Sequence, residues 1–348
     1  MQHNPSIQRL DLYVSRGIGG KNEDGESHFL AILPGDTFYH YIAAATSLRH
    51  LSGTCTWFEK EPLVILSHLP NLEQIDLKID SAKTFDSATN SLLSDESFPS
   101  LRRFAIDTPF CNQTVLIMST PRLVKRLTTL SLTFESRNLA IWDQFETPWT
   151  EMFGKLITHT PRLNSLELRI PSMRFLFPLN ENMLKILAGL PLQTLILGGI
   201  VLEKDTEIRD LVTTLSGLTE LRVLDQEVTL IQLNAFAEMP KLRHLELKLM
   251  FKAPELALNL PVSSAPIEVI ECSKEGGEMC KKSEDVERIA RNLRFYWPNL
   301  KQIEWNAYPD SRTMDMLDLL NDRLETLEHA EVLRENTELL QKTSGLRL

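Results

Sequence analysis

A six-residue pattern of apolar residues, L-x-x-L-x-L, recurs eleven times along this chain of 348 residues. Other apolar residues replace Leu at some of its three apolar positions, which we call slots. From Leu72 to Leu300 the first slots span 228 residues in eight steps, a mean period of about 28.5 residues. A period of this length predicts an architecture that extends one core in one direction by stacking similar units. The copies are PSIQRLDL (from Pro5), TSLRHLSG (Thr46), PNLEQIDL (Pro70), PSLRRFAI (Pro99), KRLTTLSL (Lys125), PRLNSLEL (Pro161), PLQTLIL (Pro191), TELRVLDQ (Thr219), PKLRHLEL (Pro240), APIEVIEC (Ala265) and PNLKQIEW (Pro298).

Each copy predicts a β-strand that follows a helix. In L-x-L the two apolar side chains point to one face and the residue between them to the other, which is typical of a strand with one buried side. Segments upstream have helical periodicity instead. In DTEIRDLVTTL the apolar residues fall at i, i+3, i+4 and i+7, behind a predicted N-cap at Asp205. SEDVERIARNL repeats this arrangement, with Ser283 as the predicted cap.

These repeats resemble the leucine-rich-repeat family, and the resemblance covers nearly the whole chain. It implies an α/β solenoid shaped like a horseshoe, with a parallel β-sheet on the concave face and helices on the convex face. With a proline before most strands, these repeats are similar to the degenerate repeats of fungal F-box and leucine-rich-repeat proteins. In those proteins the repeats hold a target while an N-terminal F-box recruits a cullin-type ubiquitin ligase. The match here covers the repeats, and no F-box pattern is found in the sequence.

The repeat pattern divides the chain into two predicted parts. Residues 1–309 are predicted to form the solenoid, with an irregular, Gly-rich and charged insertion at 14–36. Residues 310–348 are predicted to form a C-terminal helix, because Leu317, Leu320, Leu324 and Leu327 follow heptad spacing. Two roles stay open for this helix: a cap on the open end of the solenoid, or a coiled-coil or partner-binding helix.

Composition and motifs exclude several classes of function. The formal net charge of −10, without a basic run, argues against nucleic-acid binding, which depends on clustered Lys and Arg. Four irregularly spaced cysteines and the lack of a signal-peptide pattern favour a cytoplasmic or nuclear protein. No apolar stretch is long enough to cross a membrane. No catalytic, cofactor-binding or metal-ligand motif is found, so we expect a non-enzymatic protein without a cofactor.

The residue between the two strand slots offers the candidate binding site, because it points outward from the sheet. Read down the eleven copies, this position is acidic seven times and never basic. The last four copies are all acidic. The predicted partner-binding residues are Asp225, Glu246, Glu271 and Glu304 of those copies, together with Glu167, Arg169 and Lys248 nearby.

Two interpretations of this acidic column stay open. One is a solvated face of mixed charge, since Arg103, His244 and other basic residues flank the column. The other is an acidic groove for a basic segment of a protein partner. The corresponding hypotheses for function are the substrate-recognition part of an F-box-type ubiquitin-ligase adaptor and, as the alternative, a free-standing scaffold or inhibitor that binds a basic partner.

Overall fold

The structure is a computed structural model that describes residues 7–12, 36–79, 89–108, 111–134, 146–170, 176–202, 204–251, 265–273, 278–280, 282–306 and 310–344. Most of the predicted insertion at 14–36 therefore lies outside the described residues. The chain divides into two compact units, the first comprising Met1–Met173 and Ile186–Pro191 and the second comprising Arg174–Lys185 and Leu192–Leu348.

Strands and helices alternate in the first unit, as the repeats predict. Its elements are β1 (Arg9–Leu12), α1 (Asp36–Ala43), β2 (His50–Thr54), α2 (Lys60–Ser67), β3 (Gln74–Lys78), α3 (Thr89–Leu92), β4 (Arg103–Thr108), α4 (Cys111–Met118), α5 (Pro121–Val124), β5 (Thr129–Phe134), α6 (Glu146–His159) and β6 (Ser165–Arg169), with a 3-10 turn at Cys55–Phe58. Each strand from β1 to β5 pairs in parallel with the next strand along the chain.

The second unit follows the same plan and ends in a long helix. Its elements are β7 (Phe177–Pro178), α7 (Glu181–Leu187, which the division between the units crosses), β8 (Thr194–Gly198), β9 (Ile200–Val201), α8 (Asp205–Thr214), β10 (Glu220–Thr229), α9 (Leu230–Leu233), a 3-10 turn at Asn234–Glu238, β11 (His244–Met250), β12 (Val269–Cys272), α10 (Ser283–Tyr296), β13 (Gln302–Trp305) and α11 (Ser311–Ser344). Strands β8, β10, β11, β12 and β13 are parallel neighbours in that order, while β7 and β9 form a separate pair.

The apolar slots lie side by side in register and form the core of each unit. In the first unit Leu51, Ile75, Phe104, Leu130 and Leu166 are partners on successive strands, and each is at most 1% exposed. The second unit has an equivalent ladder of its own, formed by Leu195, Leu221, Leu245, Ile270 and Ile303. Full burial of one such side chain contributes about 1.5–3 kcal/mol. This arrangement confirms the predicted α/β leucine-rich-repeat fold with parallel strands.

The connecting helices bury the faces that the helical periodicity predicts. Met152, Phe153 and Leu156 of α6 are buried, as are Val286, Ile289, Ala290 and Leu293 of α10. Because most outward residues of the strands stay partly exposed, the core lies between the other face of the strands and the helices. The predicted caps are one residue too late: Lys204 and Lys282 are the N-caps, so Asp205 and Ser283 are the first helical residues.

Helix α11 completes the second unit beside strand β13. Leu317, Leu320 and Leu324 are buried, which follows the predicted heptad spacing. The side-chain amide of Asn321 accepts a hydrogen bond from Ile303 N at 2.8 Å and donates one to Ile303 O at 3.0 Å. The helix therefore satisfies backbone groups on the open side of β13.

Candidate interaction surface

The outward residues of four neighbouring strands in the second unit bring charged side chains together. Arg222 of β10 is the register partner of Glu246 in β11. Glu246 is in turn the partner of Glu271 in β12, and Glu271 is the partner of Glu304 in β13. We call these four residues the charged row. The sequence predicts three of them, and their adjacency follows from the parallel register.

The register places Arg222, and not Asp225, opposite Glu246, so the predicted position of Asp225 in the outward column is wrong. Leu218, Leu221 and Leu224 are spaced by three, so two frames satisfy L-x-x-L in the eighth copy. The structure uses the frame with slots Leu218, Leu221 and Val223, all of them at most 1% exposed. The outward residue between the last two slots is therefore Arg222.

Asp225 lies instead where the register of β10 shifts, between Val223 and Glu227. Its carboxylate accepts a hydrogen bond from the backbone N–H of Gly199. Gly199 has φ 68°, a left-handed conformation that glycine adopts without steric cost. Asp225 thus supports the turn between β8 and β9, which is a structural contact within the unit.

Glu246 is the most buried member of the charged row, at 5% exposure. Arg222 Nη1 lies 3.3 Å from Glu246 Oε2, and Arg222 Nε donates to Glu220 Oε1 at 2.7 Å. Burial alone would lower the pKa of Arg222, but the hydrogen bond to Glu220 and the charges of Glu220, Glu246 and Glu271 raise it above its ordinary value. The guanidinium stays charged and compensates the buried carboxylate.

Glu271 lies between a histidine and an amide. His244 Nε2 is 3.0 Å from Glu271 Oε1, although this ring nitrogen is not aligned for a hydrogen bond with any of the described residues. Asn306 Nδ2 donates to Glu271 Oε2 at 2.8 Å and to Glu246 Oε1 at 3.4 Å. The Asn306 side chain therefore holds two adjacent carboxylates of the charged row in fixed orientations.

Glu304 forms the exposed end of the charged row. Gln302 Nε2 donates to Glu304 Oε1 at 2.5 Å, and both residues are exposed. From Glu246 through Glu271 to Glu304 the carboxylates thus become steadily more accessible. Only the last two are open enough for a partner to contact.

The remaining predicted residues lie on outward positions and have partners within their own unit. Ser131 Oγ donates to Glu167 Oε2 at 2.8 Å, and Arg169 Nε donates to Glu167 Oε1. Lys248 Nζ lies 2.9 Å from Glu227 Oε1. These contacts favour the interpretation as a face of mixed charge at Glu167 and Arg169.

Two residues beside the charged row are missing from the sequence prediction. Glu220 precedes the slot Leu221 by one residue and contacts Arg222 only because both point outward from β10. Asn306 follows β13 and reaches across the register to Glu246 and Glu271. A correct frame for the eighth copy would have identified Glu220 and Arg222, but the contacts of Asn306 depend on the path of the chain after the strand.

Comparisons with known proteins agree with the fold without adding to it. No protein-family model matches the chain, and no curated protein matches it. Among solved structures it is similar to the leucine-rich repeat-containing protein LegL7 from Legionella pneumophila, at 11% identity over 90% of this chain and 98% of that chain, with a TM-score of 0.47. It is also similar to Rad7 in the yeast Rad7 and Elc1 complex, at 17% identity over 79% of this chain and 75% of that chain, with a TM-score of 0.42. An internalin from Listeria monocytogenes is similar at 15% identity over 80% of this chain and 68% of that chain, with a TM-score of 0.31.

Likenesses this distant carry no functional argument, and the assignment depends on the chain's own repeats. Among the described residues, no helix combines the length and apolar character that a membrane span requires. The apolar slots recur, the strands that they build are parallel neighbours, and helices connect them. On this evidence the chain has an α/β leucine-rich-repeat fold.

Proposed function

We propose that this protein is a non-catalytic protein-interaction module that binds a basic segment of a protein partner through the charged row. The observation that carries the proposal is the adjacency of Glu271 and Glu304. They are register partners on β12 and β13, and neighbouring strands lie about 4.8 Å apart. Like charges at this spacing destabilise a sheet, and a cationic side chain of a partner would relieve the repulsion.

The exposure gradient assigns different roles to the three glutamates. Glu271 and Glu304 are accessible to a Lys or Arg side chain, and a guanidinium can bind two carboxylate oxygens at once. Glu246 is too buried for contact, so it contributes its charge to the local field. Such complementarity mainly speeds encounter and selects partners, while affinity needs further contacts.

The experiment measures binding of a labelled peptide of alternating arginine and serine by fluorescence anisotropy. The test variant is Glu271→Lys with Glu304→Lys. Its matched control is Glu151→Lys with Asp210→Lys, which makes the same change in net charge on exposed positions of α6 and α8. We expect the test variant to lose at least about tenfold in affinity, or about 1.4 kcal/mol, and the control to bind like the wild type.

Added salt should weaken binding by the wild type, because exposed charges are screened. A glutamate-serine peptide should not bind. Equal binding of the arginine peptide by the wild type and the test variant, with unchanged circular dichroism, would contradict the proposal.

The two predicted biological settings share this contact and differ in what else the protein binds. As part of an F-box-type ubiquitin-ligase adaptor in the cytoplasm or nucleus, the protein would co-purify with a cullin-type ligase. As a free-standing scaffold or inhibitor, it would bind its basic partner without the ligase. The adaptor role depends on the resemblance of the repeats, so co-purification with and without ligase subunits separates the two.

A further inference from the structure

One histidine and two glutamates of neighbouring strands converge on the outward face of the second unit. His244 and Glu246 are two residues apart on β11, so their side chains share one face, and Glu271 is the register partner of Glu246 on β12. One ring nitrogen and one oxygen from each carboxylate all lie within 4.8 Å of one another. The sequence does not show this set, because its members are 27 residues apart at the extremes and meet only through strand pairing.

The Nε2 atom of His244 lies beside a carboxylate without hydrogen-bonding to it. It is buried and makes no hydrogen bond to any residue that the structure describes, although Glu271 Oε1 is 3.0 Å away. Buried polar atoms in native proteins almost always have a partner, so an orphaned nitrogen beside a carboxylate oxygen needs an explanation. A cation bound between the two atoms would supply one, since both carry lone pairs when the imidazole is neutral.

The groups around this set hold its carboxylates in place. Asn306 Nδ2 donates to Glu271 Oε2 and Glu246 Oε1, and Arg222 Nη1 contacts Glu246 Oε2. Contacts of this kind orient metal ligands and adjust their basicity in known metal sites. They leave Glu271 Oε1 directed at the histidine.

The local charge also suits a dication. Glu220, Glu246 and Glu271 contribute three negative charges and Arg222 one positive charge, which leaves a net charge of −2 beside His244. A bound ion of charge +2 would neutralise this excess.

We propose that His244, Glu246 and Glu271 bind a divalent transition-metal ion, with Zn²⁺ as the expected occupant. A donor set of one imidazole and two carboxylates suits Zn²⁺, whereas Mg²⁺ and Ca²⁺ favour oxygen ligands throughout. Zn²⁺ bonds of about 2.0–2.2 Å place tetrahedral donors roughly 3.3–3.6 Å apart, which small movements of the carboxylates would achieve. The fourth position is open to water or to a side chain of a partner.

The experiment titrates the full chain with Zn²⁺ by isothermal calorimetry and with Co²⁺ by visible absorption, without any peptide. We expect one site for each ion, and Mg²⁺ should not compete. His244→Ala and Glu271→Gln should each weaken binding by more than about a hundredfold. Asn306→Ala, which removes an orienting contact, should weaken it by about 10–100-fold.

Glu304→Gln is the matched control, because it removes the next carboxylate of the charged row but no proposed ligand. It should leave the affinity for Zn²⁺ unchanged, and Zn²⁺ should raise the Tm of the wild type but not of His244→Ala. The Co²⁺ spectrum should lack a thiolate charge-transfer band, since Cys272 is buried on the inner face of β12, opposite to the face that carries Glu271.

Absence of Zn²⁺ binding by the wild type, or equal binding by the wild type and both ligand variants, would overturn the proposal. The 3.0 Å contact would then be a direct contact between His244 and Glu271 with no ion between them. The metal site and the peptide-binding proposal can fail separately, because the titration contains no peptide and the control variant retains every proposed ligand.

Discussion

The outward residues of the two units differ although the strands that carry them are built alike. In the first unit the row is Asp11, Ser52, Asp76, Ala105, Ser131 and Glu167, in which small or uncharged residues separate the acids. In the second unit Glu246, Glu271 and Glu304 are adjacent, with Arg222 before them. Inner slots are fixed by packing, whereas outward residues are free to vary, so the binding chemistry of a repeat protein is found on the outward face.

The way the charges are compensated differs as well. In the first unit Arg9 pairs with Asp11 on the same strand, and His50 Nε2 lies 2.7 Å from Asp76 on the next. Each of these basic side chains contacts one acid, and neutral side chains extend the contacts, since Gln74 Nε2 donates to Asp76 and Ser52 Oγ lies 3.4 Å from His50 Nε2. In the second unit Arg222 contacts Glu220 and Glu246, while Asn306 contacts Glu246 and Glu271. The shared Glu246 joins these contacts into one network.

The prediction with the largest expected effect tests whether the inner residues of the strands contribute equally to stability in the two units. Leu166→Ala in β6 and Leu245→Ala in β11 each remove a fully buried side chain from the same slot. We expect each to lower the free energy of unfolding by about 2–5 kcal/mol, because each leaves a cavity. Urea unfolding followed by circular dichroism measures the loss. A difference of several kcal/mol between the two variants would show that the units do not share one packing rule.

A smaller change in the free energy of unfolding should distinguish the buried charge contacts of the second unit from the exposed ion pair of the first. Arg222→Ala leaves the buried carboxylate of Glu246 without its cation, so we expect a loss of about 1–3 kcal/mol. Arg9→Ala removes a partner of the exposed Asp11 and should cause no measurable change in stability. Unfolding in urea at low and high salt provides the measurement. Equal losses for both variants would mean that burial of Glu246 has no energetic consequence.

The smallest expected effect is a pH dependence of the free energy of unfolding that comes from one residue of the second unit. Cys272 occupies the third slot of β12, where β6 has Leu168, and burial raises the pKa of the Cys272 thiol from 9.0 to about 11. Between these values the unfolded chain loses the proton and the folded chain keeps it. Stability that is fully present below pH 9 should therefore decrease by about 1.4 kcal/mol for each pH unit up to 11.

Urea unfolding of the wild type and Cys272→Ala at pH 8 and pH 10 tests this prediction. The stability advantage of the wild type over the variant should shrink by about 1.4 kcal/mol at pH 10. An unchanged difference would show that the Cys272 thiol does not titrate differently in the folded and unfolded chains. Comparing the two proteins at each pH removes the contribution of other titrating groups.

The sequence predicts the buried slots well because the spacing of the apolar residues directly indicates which side chains are buried. Once the L-x-L pattern is recognised, it identifies Leu245 and Ile270 as inner residues. The frame of the eighth copy is mispredicted because Leu218, Leu221 and Leu224 are all apolar at a spacing of three. Pairing with β11 decides between the two frames, since it places Arg222 opposite Glu246 before the register shifts after Val223.

The contacts of the charged row could not be predicted for a related reason. Whether His244 reaches Glu271, or Asn306 reaches Glu246, depends on side-chain conformations across the strand register. Local sequence carries no information about them. The one-residue errors at Asp205 and Ser283 have a simpler cause, since their side chains are typical of caps although the preceding lysines hold the cap position.

Asn321 determines how the sheet ends. In a parallel sheet, one residue directs its N–H and its C=O to the same neighbouring strand. Asn321 occupies both groups of Ile303, so an amide on α11 takes the place that a further strand would have. We propose on this basis that α11 acts as the predicted cap. An extended segment, whether from a second copy or from an aggregating chain, could extend the sheet at β13 only by first displacing this side chain.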